Sequence, residues 1–333
     1  MTPIRLQPPP VYFMHISKTA GMSLSSLLNS IYGPCQSVSI RHPARLAEFS
    51  LTELRRRRRL DSHFGPGLFD LVKREGMRCI TMLRDPVERA VSHIYFHQRA
   101  LQKGSDAFSP EYLSRMIPLS KSDLRTWIAW AEKCNGNSIV SNLQTRHLGA
   151  LFDYRPYLKN EETGMAKTLI WPIQYAEFPG NSDMERVAAR ARKRIEEVAV
   201  VGITERFVES AALVCAEVGV RPPRDLPRVN VGAYRSGGAG RRYRESIPPD
   251  LIERIEAMNL YDIELYRYAC ELFERQIARF QSHPRRTYCI LPELRMALVA
   301  PVRRTWRAMD RRWPDFTRTK SVRRVRRMVR RVL

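Results

Sequence analysis

The sequence predicts an α/β protein with a P-loop-like three-layer fold around a central, mainly parallel sheet, plus a basic helical C-terminal tail. Three short apolar runs have the length of buried strands, and each precedes a segment with helical apolar spacing: 11–16, 78–83 and 198–203. Strands that alternate with helices are typical of a parallel sheet covered by helices on its faces. The polar residues that follow the strands are therefore expected at one edge of the sheet.

The composition is that of a globular protein, with 44% hydrophobic and 27% charged residues among 333. Six cysteines are scattered without a Cys-x-x-Cys pair, which indicates neither a zinc site nor a disulfide framework. The first ten residues lack the apolar stretch of a secretory signal, and no apolar run reaches the length of a membrane span. These features together predict a cytoplasmic protein.

The formal net charge of +23 calls for an anionic partner or surface. We predict an N-terminal extension over 1–10, a catalytic domain over 11–283 and a basic tail over 284–333, which carries 16 lysines and arginines against three acids. Within the tail, valines and Met328 alternate at helical spacing with arginine pairs over 321–333. This pattern favours a helix on an anionic membrane surface, peripheral to its inner face, although a disordered basic tail has the same composition.

The first element is a strand, tight turn and helix over residues 11–32. A turn of this kind directs backbone N–H groups and the positive helix end toward one point, where phosphate-like anions bind. Lys18 adds a cation, but it precedes Gly21, so the spacing is not that of a nucleotide-binding Walker loop. The alternative is an ordinary strand-turn-helix with a solvated lysine.

The next segment predicts a short strand at 37–40 and a helix over 46–60 that ends in five consecutive arginines, 55–59. Such a run is typical of a solvated face, with contact to an anionic substrate as the alternative. A turn-rich segment over 61–67 follows and contains His63. His63 is either a general base or a histidine hydrogen-bonded within the turn.

The second well-marked strand, 78–83, ends at Arg84 and precedes a helix over 87–101. Asp85 is an expected N-cap of this helix, with Pro86 in its first turn. Arg84 and Ser92 would then face the same crevice, and an arginine fork beside a hydroxyl suits a phosphate group. Arg89, one helical turn before Ser92, is a second-rank candidate for the same phosphate, and the alternative is a structural ion pair with Glu88 or Asp85.

The remaining elements follow in order. We predict helical structure over 109–151 with Trp127, Ile128 and Trp130 in the core, a loop over 152–182, a charged helix over 183–197, a central parallel strand over 198–203, a helix to Val218, and helical structure from Ser246 to about Gln281. The loop over 222–240 is basic and glycine-rich, contains Arg235 and suits a lid over an anionic cofactor.

Over residues 11–281 the chain resembles the carbohydrate sulfotransferases related to heparan sulfate 2-O-sulfotransferase, of the sulfotransferase family 2 type. Their donor loop is similar to Phe-x-His-Ile-Pro-Lys-Thr-Ala-Gly-Thr-Ser, and this chain departs from it with Ser17 and Met22. The departure at Met22 removes a hydroxyl, which leaves Thr19 and Ser23 to provide side-chain hydrogen bonds. The family pattern Arg-Asp-Pro-x-x-Arg-x-x-Ser is intact from Arg84 onward.

The resemblance implies transfer of a sulfuryl group from 3'-phosphoadenosine 5'-phosphosulfate (PAPS) to a carbohydrate or glycolipid hydroxyl. It implies catalytic roles for Lys18 and His63 and no metal. If His63 is not the base, His15 and His147 are the next candidates in this sequence. The resemblance assigns donor binding to Ser17, Lys18, Thr19, Ala20, Gly21, Met22, Ser23, Arg84, Ser92 and Arg235. In the family, the segment corresponding to 142–148 lines the acceptor cleft.

Two alternatives remain open at this point. One is a protein that binds nucleic acid or an anionic surface on a sulfotransferase-like scaffold. No nucleic-acid reading motif and no aromatic residues interleaved with the basic ones support the nucleic-acid version. The other is an inactive scaffold, which the presence of Lys18, His63, Arg84 and Ser92 argues against.

Overall fold

The computed structural model describes residues 7–103, 116–134, 138–168, 183–227 and 243–282. Within these ranges five strands form one sheet: β1 (Val11–Met14), β2 (Ser37–Ile40), β3 (Arg59–Ser62), β4 (Arg78–Leu83) and β5 (Val200–Ile203). The order is β2-β3-β1-β4-β5 and every neighbouring pair is parallel. The predicted α/β fold with a parallel central sheet is therefore confirmed.

Helices flank this sheet and connect its strands. They are α1 (Gly21–Tyr32), α2 (Pro43–Leu46), α3 (Leu51–Arg56), α4 (Gly65–Val72), α5 (Pro86–Gln102), α6 (Leu124–Lys133), α7 (Leu143–Gly149), α8 (Met184–Glu197), α9 (Phe207–Glu217), α10 (Pro249–Ala257) and α11 (Leu260–Gln281). Among the helices of the described ranges, none is both long and apolar enough to cross a bilayer.

The hydrophobic core consists of two clusters. The larger one surrounds the sheet, and all four residues of β1 are fully buried because this strand is in the middle. The smaller cluster joins α5 to α6 and α10 and contains Trp127 and Ile128, as predicted, with Trp130 packed against it. One face of α5 is thereby fixed in the core, which positions the start of the helix at the edge of the sheet.

The predicted helix over 46–60 is wrong. Ser50 and Glu53 form a capping box at the start of α3, but this helix ends at Arg56, and Arg59 already belongs to β3. Arg59 is only 2% exposed and pairs with Asp61 two residues along the same strand. The last arginine of the run is therefore structural rather than part of a solvated face, because pairing of β3 with both neighbouring strands outweighs its helix propensity.

The strand β5 is parallel, as expected, but its predicted central position is wrong, since in the described sheet it is an edge strand. Its apolar composition is explained by α9 and α11, which pack against it. The side chain of Gln276 on α11 accepts a hydrogen bond from Val201 N at 3.1 Å. A side chain thus satisfies an edge amide that would otherwise lack a partner strand.

Some predictions lie outside the described residues. These are the lid with Arg235, the tail over 284–333, the N-terminal residues 1–6 and parts of the 109–151 and 152–182 segments. Where it is described, the 109–151 segment contains α6 and α7, and the helical structure after Ser246 consists of α10 and α11.

Candidate active site

The site lies where three adjacent strands end. The carboxyl ends of β3, β1 and β4 bring the segments 63–64, 15–20 and 84–85 to the same edge of the sheet. In open parallel sheets this edge is where ligands bind. The sequence-predicted residues Lys18, His63 and Arg84 are therefore gathered at neighbouring positions.

The loop after β1 has the backbone of an anion site. Lys18 and Ala20 adopt the left-handed conformation, with φ of 70° and 62°, before α1 begins at Gly21. Ala20 provides no side-chain cap and the first turn of α1 contains no acid, so the helix N-terminus keeps its positive end for an anion. A Cβ on Gly21 would be 1.9 Å from His15 Nε2, which explains the glycine.

The side chains of this loop differ in part from expectation. Thr19 is fully buried, and its hydroxyl donates to the Ile16 carbonyl at 2.9 Å. The Thr19 hydroxyl, which was expected to donate a hydrogen bond to PAPS, thus donates within the loop instead. Ser23 is buried in the first turn of α1, and Arg41 lies 2.6 Å from the Met22 sulfur. A guanidinium therefore stands beside the position where the related loops have threonine.

Lys18 extends toward α5. Its Nζ lies 4.6 Å from the centroid of the Phe96 ring, a cation–π arrangement. Burial, with Arg99 and Arg84 nearby, lowers the pKa of Lys18 to about 8. An anion bound at the loop would stabilise the charged ammonium, so this lysine is suited to a negatively charged ligand.

Arg84 connects the loop to the start of α5. One of its terminal nitrogens donates to the Lys18 carbonyl at 3.2 Å and the other to Glu88 at 3.3 Å. Its Nε is buried without a hydrogen-bond partner and lies 3.9 Å from a Glu205 oxygen. Ser92 is half-buried on α5, on the helix that Asp85 caps by accepting from two backbone amides. The guanidinium thus keeps donor capacity for a phosphate.

Gln144 on α7 fixes the backbone of Arg84. Its side-chain amide accepts from Arg84 N and donates to Arg84 O, both at 2.9 Å. Arg84 lies just past the end of β4, and these two hydrogen bonds satisfy its backbone N–H and C=O as a neighbouring strand would. The 142–148 segment therefore fixes the backbone of Arg84.

His63 is oriented as a proton acceptor. Its Nδ1 is 2.6 Å from the His15 carbonyl oxygen, which can only accept a hydrogen bond, so Nδ1 carries the proton and Nε2 has the lone pair. Burial and the neighbouring His15 hold the pKa of His63 well below its ordinary value. The ring is thus kept neutral near pH 7, the state that a general base requires.

Two further candidates, His147 and Arg89, are buried. His147 lies behind Gly65, where a Cβ would be 2.9 Å from the His147 carbonyl oxygen, and burial lowers its pKa to about 3. Arg89 is fully buried and donates to the carbonyls of Ile139 and Val140. Its Nε also lies 3.9 Å from a carboxylate oxygen of Asp262, which ties Arg89 to α11.

Sequence reasoning missed the support around Arg84. Glu205 accepts hydrogen bonds from Asp85 N and from the Tyr266 hydroxyl. Arg244, just beyond the glycine-rich loop, donates its backbone N–H to Glu88 at 3.1 Å. The one available signal was the position of Glu205 two residues after the predicted strand over 198–203, since ligands bind at the carboxyl ends of parallel strands.

Within the described residues, no group of three or more histidine, cysteine, aspartate or glutamate side chains is arranged to hold a metal ion. A comparison with curated proteins gave no match. The family model described as "Sulfotransferase family" matches residues 7–269, which include every strand and site residue described above.

Proposed function

The chain belongs to the sulfotransferase family, and from this premise we propose that it transfers a sulfuryl group from PAPS to a hydroxyl of a carbohydrate or glycolipid. The observation that carries the proposal is the hydrogen bond from Arg84 to the Lys18 carbonyl, which joins two cationic sites on adjacent strands. PAPS has a 5'-phosphosulfate and a separate 3'-phosphate, so its enzyme needs two anion sites. We assign the loop from Ser17 to Ser23 to the first and Arg84 with Ser92 to the second.

The reaction forms a bond from the acceptor oxygen to sulfur and breaks the bond from sulfur to the 5'-phosphate oxygen. His63 Nε2 takes the proton of the acceptor hydroxyl. Lys18 stabilises the charge that develops on the departing phosphate, together with the first amides of α1. By analogy with phosphoryl transfer, positioning and charge stabilisation supply most of the rate enhancement, and this scheme needs no metal.

We further propose that the basic tail brings the enzyme to a membrane-linked acceptor at the inner face of the membrane. The support is its charge, since more than half of the excess positive charge lies in residues 284–333. Each arginine near an anionic surface contributes about 1 kcal/mol to binding. This part of the proposal is independent of the transfer chemistry.

The test is incubation with labelled PAPS and a panel of glycans and glycolipids, with the product located by mass spectrometry. We expect a sulfated product with at least one acceptor and loss of that product with Lys18→Ala. Binding of 3'-phosphoadenosine 5'-phosphate without transfer to any acceptor would support a binding protein on this scaffold. Failure to bind either nucleotide would refute the proposal.

A further inference from the structure

A fully buried carboxylate lies beneath the anion loop. Asp61, in β3, pairs with His15 Nδ1 at 3.0 Å and with the guanidinium groups of Arg41 and Arg59. It also accepts from the hydroxyls of Ser25 and Ser39. Burial alone would raise the pKa of Asp61, but His15 and the two arginines hold it well below its ordinary value. The carboxylate is therefore charged throughout the working pH range.

This carboxylate fixes the ring of His15. The ring is stacked on Phe13 with centroids 5.0 Å apart, and the centroid of the His63 ring lies 4.3 Å away, tilted by 43°. The Nε2 atom of the ring lies against Gly21 at the start of α1, so close that a Cβ at this position would be 1.9 Å from it. The backbone N–H of His15 donates to Ser62 O at 2.9 Å. The residue is thus held by its ring and its amide beyond the last paired residue of β1.

The His15 main chain in turn sets the state of His63. The His15 carbonyl is the acceptor for His63 Nδ1, and this contact selects the tautomer with the lone pair on Nε2. A rotation of the His15 peptide would remove the acceptor and allow the other tautomer. The position of one carbonyl oxygen therefore decides whether His63 can take a proton at Nε2.

We propose that Asp61 and His15 form a positioning pair, which acts through the His15 carbonyl to hold His63 as a proton acceptor at Nε2. The role in transfer rests on the proposed function, whereas the effect on the tautomer does not. Neither residue needs to contact the donor or the acceptor. The arrangement is similar in logic to a carboxylate that orients a catalytic histidine, with the difference that a backbone carbonyl makes the final contact.

The titratable groups that act on His63 are His15 from the β1 loop, Asp61 from β3 and His147 from α7. Burial lowers the pKa of His63 most, and the His15 ring and His147 lower it further, whereas the hydrogen bond to the His15 carbonyl and the charge of Asp61 raise it. Loss of the His15 ring removes the largest electrostatic contribution that lowers this pKa, and that contribution is larger than the one from the hydrogen bond that the variant also weakens. The pKa of His63 should then rise toward its ordinary value.

The main variant is His15→Asn, which keeps the backbone carbonyl and removes the ring. Asp61→Asn is the second variant, and it is expected to lose stability because Arg41 and Arg59 remain without their carboxylate. His42→Asn is the matched control. His42 is exposed, and its side chain caps α2, a role that asparagine also fills.

The first measurement is the ¹⁵N NMR spectrum of the His63 ring in the folded, ligand-free full chain. Wild type and His42→Asn should show the proton on Nδ1, whereas His15→Asn should show mixed tautomers. The second is the pH profile of kcat/KM, whose acidic limb should move to higher pH in His15→Asn only. With a misplaced base we expect kcat to fall about 10²-fold or more.

Two results would overturn the positioning role. One is a His15→Asn protein that is folded and shows an unchanged His63 tautomer. The other is a lower kcat with an unshifted pH profile, which indicates a general structural defect. A tautomer change in a protein that transfers sulfate to no acceptor would refute the proposed function and leave the positioning of His63 intact.

Discussion

The lowered pKa of Lys18 predicts how donor affinity depends on pH. Burial and two neighbouring arginines place this pKa at about 8. About nine tenths of the lysine is then charged at pH 7 and about one tenth at pH 9. If the donor binds only the charged form, the dissociation constant of 3'-phosphoadenosine 5'-phosphate should rise about tenfold from pH 7 to pH 9, about 1.4 kcal/mol.

The assay is isothermal titration calorimetry at pH 7, 8 and 9 and constant ionic strength. Lys18→Arg is the control, because a guanidinium stays charged to pH 9 and its affinity should vary little. Arg99→Gln removes one of the groups that lower the pKa of Lys18, so this variant should lose affinity at a higher pH than the wild type does. An affinity that is constant from pH 7 to pH 9 in the wild type would refute the reasoning, as would an equal loss in Lys18→Arg.

Four further predictions concern binding, catalysis, stability and the tail. Arg84→Ala should weaken the binding of 3'-phosphoadenosine 5'-phosphate by about 10- to 150-fold, because hydrogen bonds to charged groups contribute about 1.5–3 kcal/mol. An unchanged dissociation constant in calorimetry would contradict the second anion site. His63→Ala should preserve nucleotide binding and lower kcat by about 10²- to 10⁴-fold, and near-normal single-turnover rates would reassign the base. Asp262→Ala should reduce the free energy of unfolding by about 1–3 kcal/mol in urea titrations, since the Asp262 carboxylate accepts from Gln144 N and Thr145 N in the first turn of α7. An unchanged midpoint of urea unfolding would show that these two hydrogen bonds do not stabilise the fold. Deletion of 284–333 should abolish salt-sensitive binding to anionic liposomes and spare turnover on a soluble acceptor; liposome binding that persists would place the contact in the catalytic domain.

The strands could be predicted where their sequence is apolar. β1, β4 and β5 were expected within two residues of their observed bounds, because buried parallel strands need apolar side chains on both faces. β2 was expected at its observed bounds although it alternates serine with Val38 and Ile40. β3 contains one apolar residue, Leu60, between Arg59 and Asp61. Its burial depends on ion pairs with residues of other segments, which the local pattern does not show.

The order of the strands was less predictable than their existence. An almost wholly apolar run suggests a central strand, yet β5 is at the edge and is covered by helices from later in the chain. The sequence does not indicate that Gln276, 75 residues away, completes its hydrogen bonding. The position of β5 in the sheet therefore depends on packing against α9 and α11, which its own sequence does not indicate.

The candidate residues for the chemistry could be proposed from the sequence, while the residues that hold them in place could not. Lys18, His63, Arg84 and Ser92 follow strand ends in recognisable patterns. Gln144 contacts Arg84 across 60 residues, and Asp61 contacts His15 across 46. Glutamine and aspartate at such positions have no distinctive local sequence context, so their roles become visible only in the folded chain.

The central claim is that Arg84 binds a phosphate separate from the one at the Lys18 loop. The most direct measurement compares 3'-phosphoadenosine 5'-phosphate with adenosine 5'-phosphate by calorimetry, in the wild type and in Arg84→Ala. We expect the wild type to prefer the 3'-phosphorylated nucleotide by about 10- to 150-fold and the variant to lose most of this preference. A preference of equal size in the variant would contradict the claim.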